Sequence, residues 1–451
     1  MTDTEKLYEI YLKHPEVTTD SRRCPEGSMF FALKGESFDG NRFAAKALEA
    51  GSAVAVVDDA AVIPEDDQRY VLVADVLEAL QALAAHHRQQ FQGPVVQVTG
   101  TNGKTTTKEL IAAVLTQHYR VLYTQGNLNN HIGVPLTLLR LRPGEHEIAI
   151  IETGANHPGE IAFLTDIVQP DYGLITNVGR AHIEGFGSFE GVKRTKGELY
   201  DYLCKKHSAH VFINAGNEDL CGMISQRGYK PDDDKCIAYG HEEQAPVCLC
   251  TGAVIDCNPM LCLRWQPNKG ETAEVQTHLI GAYNIDNVLA AVAIGLHFGV
   301  APEAITRALT DYQPSLGRSE YRRTADNELI IDAYNANLTS MQAALDNFSR
   351  ISHAHKMMIL GDMKELGTVS EEAHLKVAEL ALVAKPKAAW FVGEEFAKAL
   401  STLAPATETD IRCFPDVEAV KKAIAAQRPT GRLILVKGSN STKLHQLPEL
   451  L

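Results

Sequence analysis

The sequence predicts an α/β protein of several domains, organised round a nucleotide-binding strand, loop and helix. Three observations predict it. Residues 95–110 run from an apolar β-branched segment through a glycine-bracketed loop into a helix-forming segment, the order a phosphate-binding loop requires. Strand-like apolar runs alternate with helical stretches in two successive regions, which argues for two α/β sheets. The chain has 451 residues, too many for one core, so two to four domains are expected.

The loop is shortened: only Thr101 and Asn102 separate Gly100 from Gly103. The physics survives the shortening. Gly100 and Gly103 let the backbone turn tightly and present N–H groups to phosphate oxygens. The helix that follows adds the positive end of its dipole. Lys104 is expected to reach the outer phosphates, and the Thr105 hydroxyl to sit on Mg²⁺. The competing reading, an ordinary strand–turn–helix junction, is disfavoured because strand, glycines, Lys-Thr and helix all occur in the required order.

Composition bounds the rest. With 45% hydrophobic and 22% charged residues, the chain reads as an ordinary globular protein. A net charge of −14 argues against nucleic acid as the main partner. No apolar run is long enough to span a bilayer. Residues 1–6 are acidic and polar, unlike a signal peptide, so a cytoplasmic location is expected. Of nine cysteines, Cys236, Cys248, Cys250, Cys257 and Cys262 crowd one region without a Cys-x-x-Cys pair. They read as small apolar residues in strands rather than as zinc ligands.

In chain order, residues 1 to about 90 form a first unit, with buried strands at 29–33 and 53–57 and helices at 43–50 and 76–92. Arg22 and Lys34 stand beside turns and suit a diphosphate, although alone they read more readily as surface charges. A linker ends at Gly93-Pro94. After the phosphate loop, a helix runs to about residue 118. Asn127, Asn129 and Asn130 follow in a loop, either satisfying backbone groups or meeting a ligand. The strand 147–152 ends in Glu152, and the strand 172–178 is followed by His182. Ligands bind at the carboxyl ends of strands in doubly wound sheets, so both are candidate metal ligands. A helix is expected to begin at Lys193, and residue type alone makes Lys196 a solvated charge. A strand at 211–215, short antiparallel strands over 231–278 and a helix over 284–294 follow. The third unit begins near Tyr312; its strand 328–332 ends in Asp332, and further strands are expected at 356–360, 388–392 and 432–436.

With these motifs in place, the chain resembles the Mur ligase family, the ATP-dependent amide-forming enzymes of bacterial peptidoglycan precursor synthesis. The resemblance rests on residues 100–105, on 284–287 with Ala290-Ala291, and on 314–318 with Asp332. It implies a UDP-sugar domain at 1–92, a central ATPase at 93–312 and a Rossmann-like C-terminal domain at 313–451 that closes over the site. ATP would be held by Gly100, Thr101, Asn102, Gly103, Lys104, Thr105 and Thr106, with Asn284 and Asn287 on the adenine side. Arg318 and Asp332 would join them from the third domain. Two Mg²⁺ ions are implied, one on Thr105 and one on Glu152, His182 and a carbamylated Lys196; Lys104 with these last three would be catalytic. Ser21, Arg22, Lys34 and Gly35 resemble the uridine-diphosphate contacts.

Residues 127–135, 152–156, 334–337 and 360–367 most resemble the branch whose substrates are UDP-N-acetylmuramoyl tripeptide and D-alanyl-D-alanine. Asn129, Asn130, Asn335 and Asn337 are then the candidate substrate-binding residues, and a monomer is expected. Two positions depart from the family pattern: Ile331 stands where a first aspartate is common, and Leu338 where a proline is. The Asp-Asn-Pro-Arg signature of the ligase that adds diaminopimelate is absent. The alternatives are a sibling ligase with the same ATPase core, such as another muramyl-peptide ligase or a folylpolyglutamate synthase, and an ATP-hydrolysing binding protein that does not ligate.

Overall fold

The computed structural model describes residues 2–180, 183–314, 317–403 and 408–451, so the expectation for His182 lies outside the described residues. β-Branched and aromatic runs build three main sheets. The first has four parallel strands, Val17–Thr18, Met29–Phe31, Val54–Val57 and Tyr70–Leu72, in that spatial order. The helix Val76–Gln89 follows, its first turn capped by Asp75, which accepts from Glu78 N. Leu80, Leu83 and Ala84 of this helix join Met29, Phe31 and Val56 to Val95, Ala149 and Ile151 of the second sheet in one apolar cluster. The first unit is thus fused to the second through a shared layer, where the sequence suggested only a linker.

The second sheet has nine strands. Six parallel strands run across it in the order Val121–Tyr123, Ile148–Glu152, Val95–Thr99, Tyr172–Ile175, His210–Asn214 and Cys236–His241. After Val95–Thr99 the chain crosses to the edge strand Val121–Tyr123, returns to fill the gap with Ile148–Glu152, and then builds outward on the other side. The reversal leaves a crevice at the carboxyl ends of Val95–Thr99 and Tyr172–Ile175, where α/β sheets bind ligands. The expectation for residues 231–278 needs correction. Cys236–His241 extends the parallel block because the helix Glu218–Ser225 crosses over to it. Cys250–Cys257 is also parallel to that strand, and only Met260–Pro267 and Ala273–Ile280 are added antiparallel. The helix expected at Lys193 begins earlier, spanning Phe189–Lys205, because Ser188 caps it by accepting from Gly191 N.

The third sheet runs Glu320–Arg323, Glu328–Asp332, Leu433–Lys437, Lys356–Gly361, Ala388–Val392 and Asp410–Phe414, with only the first strand antiparallel. Ile331, at the position of a common family aspartate, is buried in the apolar cluster with Met357, Ile359 and Val436. Its neighbour Asp332 pairs in register with Lys437 on the adjacent strand.

The joint between the first two sheets depends on one buried cation. Arg88 donates to the carbonyls of Phe91, Val168 and Gln169 and to the Asp171 carboxylate, at 2.9–3.0 Å. Arg88→Ala removes these donors together and leaves buried acceptors unpaired. The expected cost is about 2–4 kcal/mol, read as a lower midpoint of the first urea-unfolding transition.

Candidate active site

The residues 100–104 leave the strand Val95–Thr99 and wrap the N-terminus of the helix Lys104–Leu115. Gly100 has φ +141° and Gly103 φ +77°, both costly for a side chain. Space forbids one as well: a Cβ on Gly100 would lie 2.1 Å from Thr176 Oγ1, and one on Gly103 2.7 Å from Asn287 Oδ1. The neighbouring strand end holds the loop. Asn177 accepts from Asn102 N through its side chain and from Thr101 N through its carbonyl, both at 3.0 Å. Thr176 Oγ1 and Asn177 Nδ2 both donate to the Asn102 carbonyl, and Gly179 N donates to Thr101 Oγ1. Lys104 Nζ curls over the loop, donating to the carbonyls of Gly100 at 2.9 Å and Thr101 at 3.0 Å. Burial pushes its amine below the ordinary lysine range, opposed by the nearby Glu152 carboxylate.

A cavity of about 970 Å³ opens above this loop. Its walls include Thr101–Thr106 and Glu152 from the second sheet, and Arg318, Asp332, Tyr334 and Lys437 from the third. Thr105 Oγ1 donates to both oxygens of Glu152, at 3.1 and 2.9 Å, and Asn129 Nδ2 donates to Oε1 at 2.8 Å. Thr105 and Glu152, expected at two different metals, therefore touch. Their hydroxyl and carboxylate are hard oxygen donors of the kind Mg²⁺ takes, so these residues fit that ion. Asn130 also lines the cavity, but its Oδ1 accepts from Ile132 N and Gly133 N and so shapes the entry of the helix Gly133–Leu138.

Lys196 departs from its residue type. It sits in the middle of its helix, 3% exposed, with Nζ 3.5 Å from the Ala155 carbonyl and 5.5 Å from the centre of the Phe186 ring. Burial, reinforced by the charge of Lys104, pushes its amine down to about 7. Residue type could not have revealed this, since burial depends on what packs against the helix.

On the helix Ile285–His297, expected on the adenine side, Asn287 accepts from Thr107 Oγ1 and donates to Asn284 Oδ1, tying that helix to the loop's own helix. From the third sheet, the Arg318 guanidinium stacks 3.7 Å above the Tyr334 ring, and the Lys437 amine is ion-paired with Asp332. Asn335 lines the cavity, whereas Asn337 is buried and caps the helix Leu338–Arg350. Ser21, Arg22, Lys34 and Gly35 stand apart from this cavity. Arg22 is exposed and bidentate with Asp20 at 2.8 and 2.9 Å, and Lys34 pairs with Asp58 at 2.8 Å. Sequence reasoning gave no role to Asn177 or Lys437. The strand-end argument used for Glu152 applies equally to Asn177 and could have found it.

A glycine-cradled anion loop at a sheet switch point, faced by an Arg, an Asp and a Lys from another sheet, defines a nucleotide-using α/β enzyme. Comparison with known proteins narrows this. Family models described as "Mur ligase middle domain", "Mur ligase, glutamate ligase domain" and "Mur ligase family, catalytic domain" match residues 98–295, 317–440 and 15–88. The chain is 36% identical over 96% of its length to the UDP-N-acetylmuramoyl-tripeptide--D-alanyl-D-alanine ligase of Escherichia coli, covering 93% of it. It is 34% identical to the enzyme of that name from Bacillus subtilis, over 96% of this chain and 92% of that one. Crystal structures of MurF from Acinetobacter baumannii (TM-score 0.83, 30% identity, 98% and 97% of the two chains) and of the Thermotoga maritima MurF ligase in complex with ADP (0.81, 25%, 100% and 98%) share its fold. The chain belongs to the Mur ligase family.

The glycine geometry has a direct consequence. Gly100→Ala should lower ADP affinity at least about tenfold in calorimetric titration, because loss of one loop contact costs about 1.4 kcal/mol or more. Gly222→Ala, where a Cβ meets nothing within 4 Å, should bind ADP as the parent does.

Proposed function

We propose that this chain joins D-alanyl-D-alanine to the terminal carboxylate of UDP-N-acetylmuramoyl tripeptide, splitting ATP to ADP and phosphate. The observation that carries the reading is similarity along almost the whole chain to ligases of that name, 36% over 436 residues for the Escherichia coli enzyme. The cavity at the phosphate loop supplies the matching chemistry.

A carboxylate is a poor electrophile, so its oxygen first takes the γ-phosphoryl group of ATP, and ADP leaves. The dipeptide's free amine then attacks the acyl carbon, loses a proton and expels phosphate. Little covalent chemistry falls to the protein; positioning and charge stabilisation do the work. Gly100, Thr101, Asn102, Gly103 and Thr106 surround the phosphates, with donors from the helix N-terminus and the Asn102 side chain, since the N–H groups of Thr101 and Asn102 are held by Asn177. Lys104 exchanges its carbonyl partners for phosphate oxygens. Thr105 would hold one Mg²⁺ ion, and Glu152, His182 and a carbamylated Lys196 a second. Bound magnesium neutralises phosphate charge. Asn284 and Asn287 flank the adenine, and Arg318 and Asp332 reach the nucleotide from the third domain, so closure precedes chemistry.

Lys196 is the residue whose state matters most. A lysine held near 7 is about half neutral at neutral pH, and a neutral amine that adds CO₂ and releases a proton becomes a carbamate, an additional oxygen ligand. Ser21, Arg22, Lys34 and Gly35 grip the uridine diphosphate once Lys34 leaves Asp58, while Asn129, Asn130 and Asn335 face the peptide ends. The domains are taken as 1–92, 93–312 and 313–451, and the enzyme as a cytoplasmic monomer. Among the described residues, no helix is long and apolar enough to cross a membrane.

Purified protein with ATP and Mg²⁺ should release phosphate only when tripeptide and D-alanyl-D-alanine are both present, with UDP-muramoyl pentapeptide seen by mass spectrometry. Release that ignores both substrates would leave an ATPase and discard the ligase. Lys104→Ala should cut kcat by about 10²–10³, the loss typical of a charge-stabilising donor. Lys196→Ala should be inactive and regain measurable turnover with a short-chain carboxylic acid; failure of both the loss and the rescue would remove the carbamate.

A further inference from the structure

Resting on the reading that nucleotide phosphates occupy the loop at residues 100–104, we infer that Asn337 is a positioning residue that sets which end of the Asn102 amide faces the nucleotide. It acts as the contact through which the third sheet arms the phosphate loop.

The geometry leaves little freedom. Asn337 opens the helix Leu338–Arg350, and its Oδ1 accepts from Ser340 N at 2.9 Å. That cap commits the oxygen, so the Nδ2 end must be the donor to whatever lies beyond it. What lies beyond it is Asn102 Oδ1, at 2.8 Å, across 235 residues of chain. Asn337 is 5% exposed and is not part of the cavity wall, whereas Asn102 is. The same helix turn approaches the loop again at Thr339, whose Oγ1 is 3.4 Å from the Cβ position of Gly179, the residue that donates to Thr101 Oγ1.

A side-chain amide has one acceptor end and one donor end, and the two are nearly isosteric. Beside a phosphate only the donor end is useful; the acceptor end repels. Nothing in the backbone of Asn102 chooses between them, because its N–H and carbonyl are already spent on Asn177 and Thr176. Asn337 makes the choice. By donating to Oδ1 it leaves the Nδ2 of Asn102 as the free end, the polarity a phosphate needs. The bond crosses from the third sheet to the second, so the correct polarity is enforced only when the two are together. This is chemically apart from a substrate contact, the role the sequence suggested for Asn337.

The variant that separates this from a merely structural role is Asn337→Ser. Serine caps helices as well as asparagine does, so stability should stay close to that of the parent, but it lacks the amide donor. Titration of ADP with Mg²⁺ into the full-length protein should show affinity lowered about 3–10-fold for Asn337→Ser, with thermal unfolding of the ligand-free protein unchanged. Asn102→Ala should lower affinity by itself, and adding Asn337→Ser to it should cost nothing more, because the group being oriented has gone. Asn337→Gln serves as a second check, since it keeps the amide but not the cap length; any recovery of affinity over the serine variant supports the donor. ADP affinity of Asn337→Ser equal to the parent's, or full additivity with Asn102→Ala, would overturn the inference. A parent protein that binds no ADP would instead overturn the reading of the loop itself.

Discussion

The structure depends on one close approach: the loop after Val95–Thr99 lies against the end of Tyr172–Ile175 with no room for a side chain at Gly100. Because Thr176 and Asn177 occupy that space, they can satisfy the loop's backbone groups, taking the N–H groups of Thr101 and Asn102 and donating to the Asn102 carbonyl. Fixed in this way, a five-residue loop can do what a longer one does, since its shape is borrowed from its neighbour rather than stored in its own turns.

The second consequence is electrostatic. The loop, the start of Lys104–Leu115 and Lys104 concentrate positive potential in one place. Glu152 lies within hydrogen-bond reach of Thr105 and offsets part of that charge, while Lys196, farther inside, bears the cost of burial. The site thus divides its cations by environment. Lys104 keeps a carboxylate nearby and is placed to meet phosphates. Lys196 is almost fully buried and feels the charge of Lys104, which together favour the neutral amine in spite of the Phe186 ring and the Ala155 carbonyl beside it.

Three sheets are needed because no single one carries the full set of groups. The second contributes the loop and Glu152; the third contributes Arg318 on Tyr334 and Asp332 held by Lys437. The first sheet is bound to the second by a common apolar layer and by Arg88, while Arg22 and Lys34 stand away from the central cavity.

Much of this was legible in the chain. The strand–loop–helix at residues 95–110, the acids at strand ends and the third sheet's strands follow from local patterns, because β-branched runs, glycines and Lys-Thr act over a few residues. Helix starts were displaced where a cap decided them, as at Ser188, and the strand Cys236–His241 took its direction from a crossover that local pattern does not encode. Only the tertiary structure could bury Lys196, bring Thr105 against Glu152, pair Asp332 with Lys437 and set Asn337 on Asn102. Sequence by itself determined which groups are available and which segments carry them. Their charge, partners and polarity were decided by residues distant in the chain, because burial and hydrogen bonding are properties of what packs alongside.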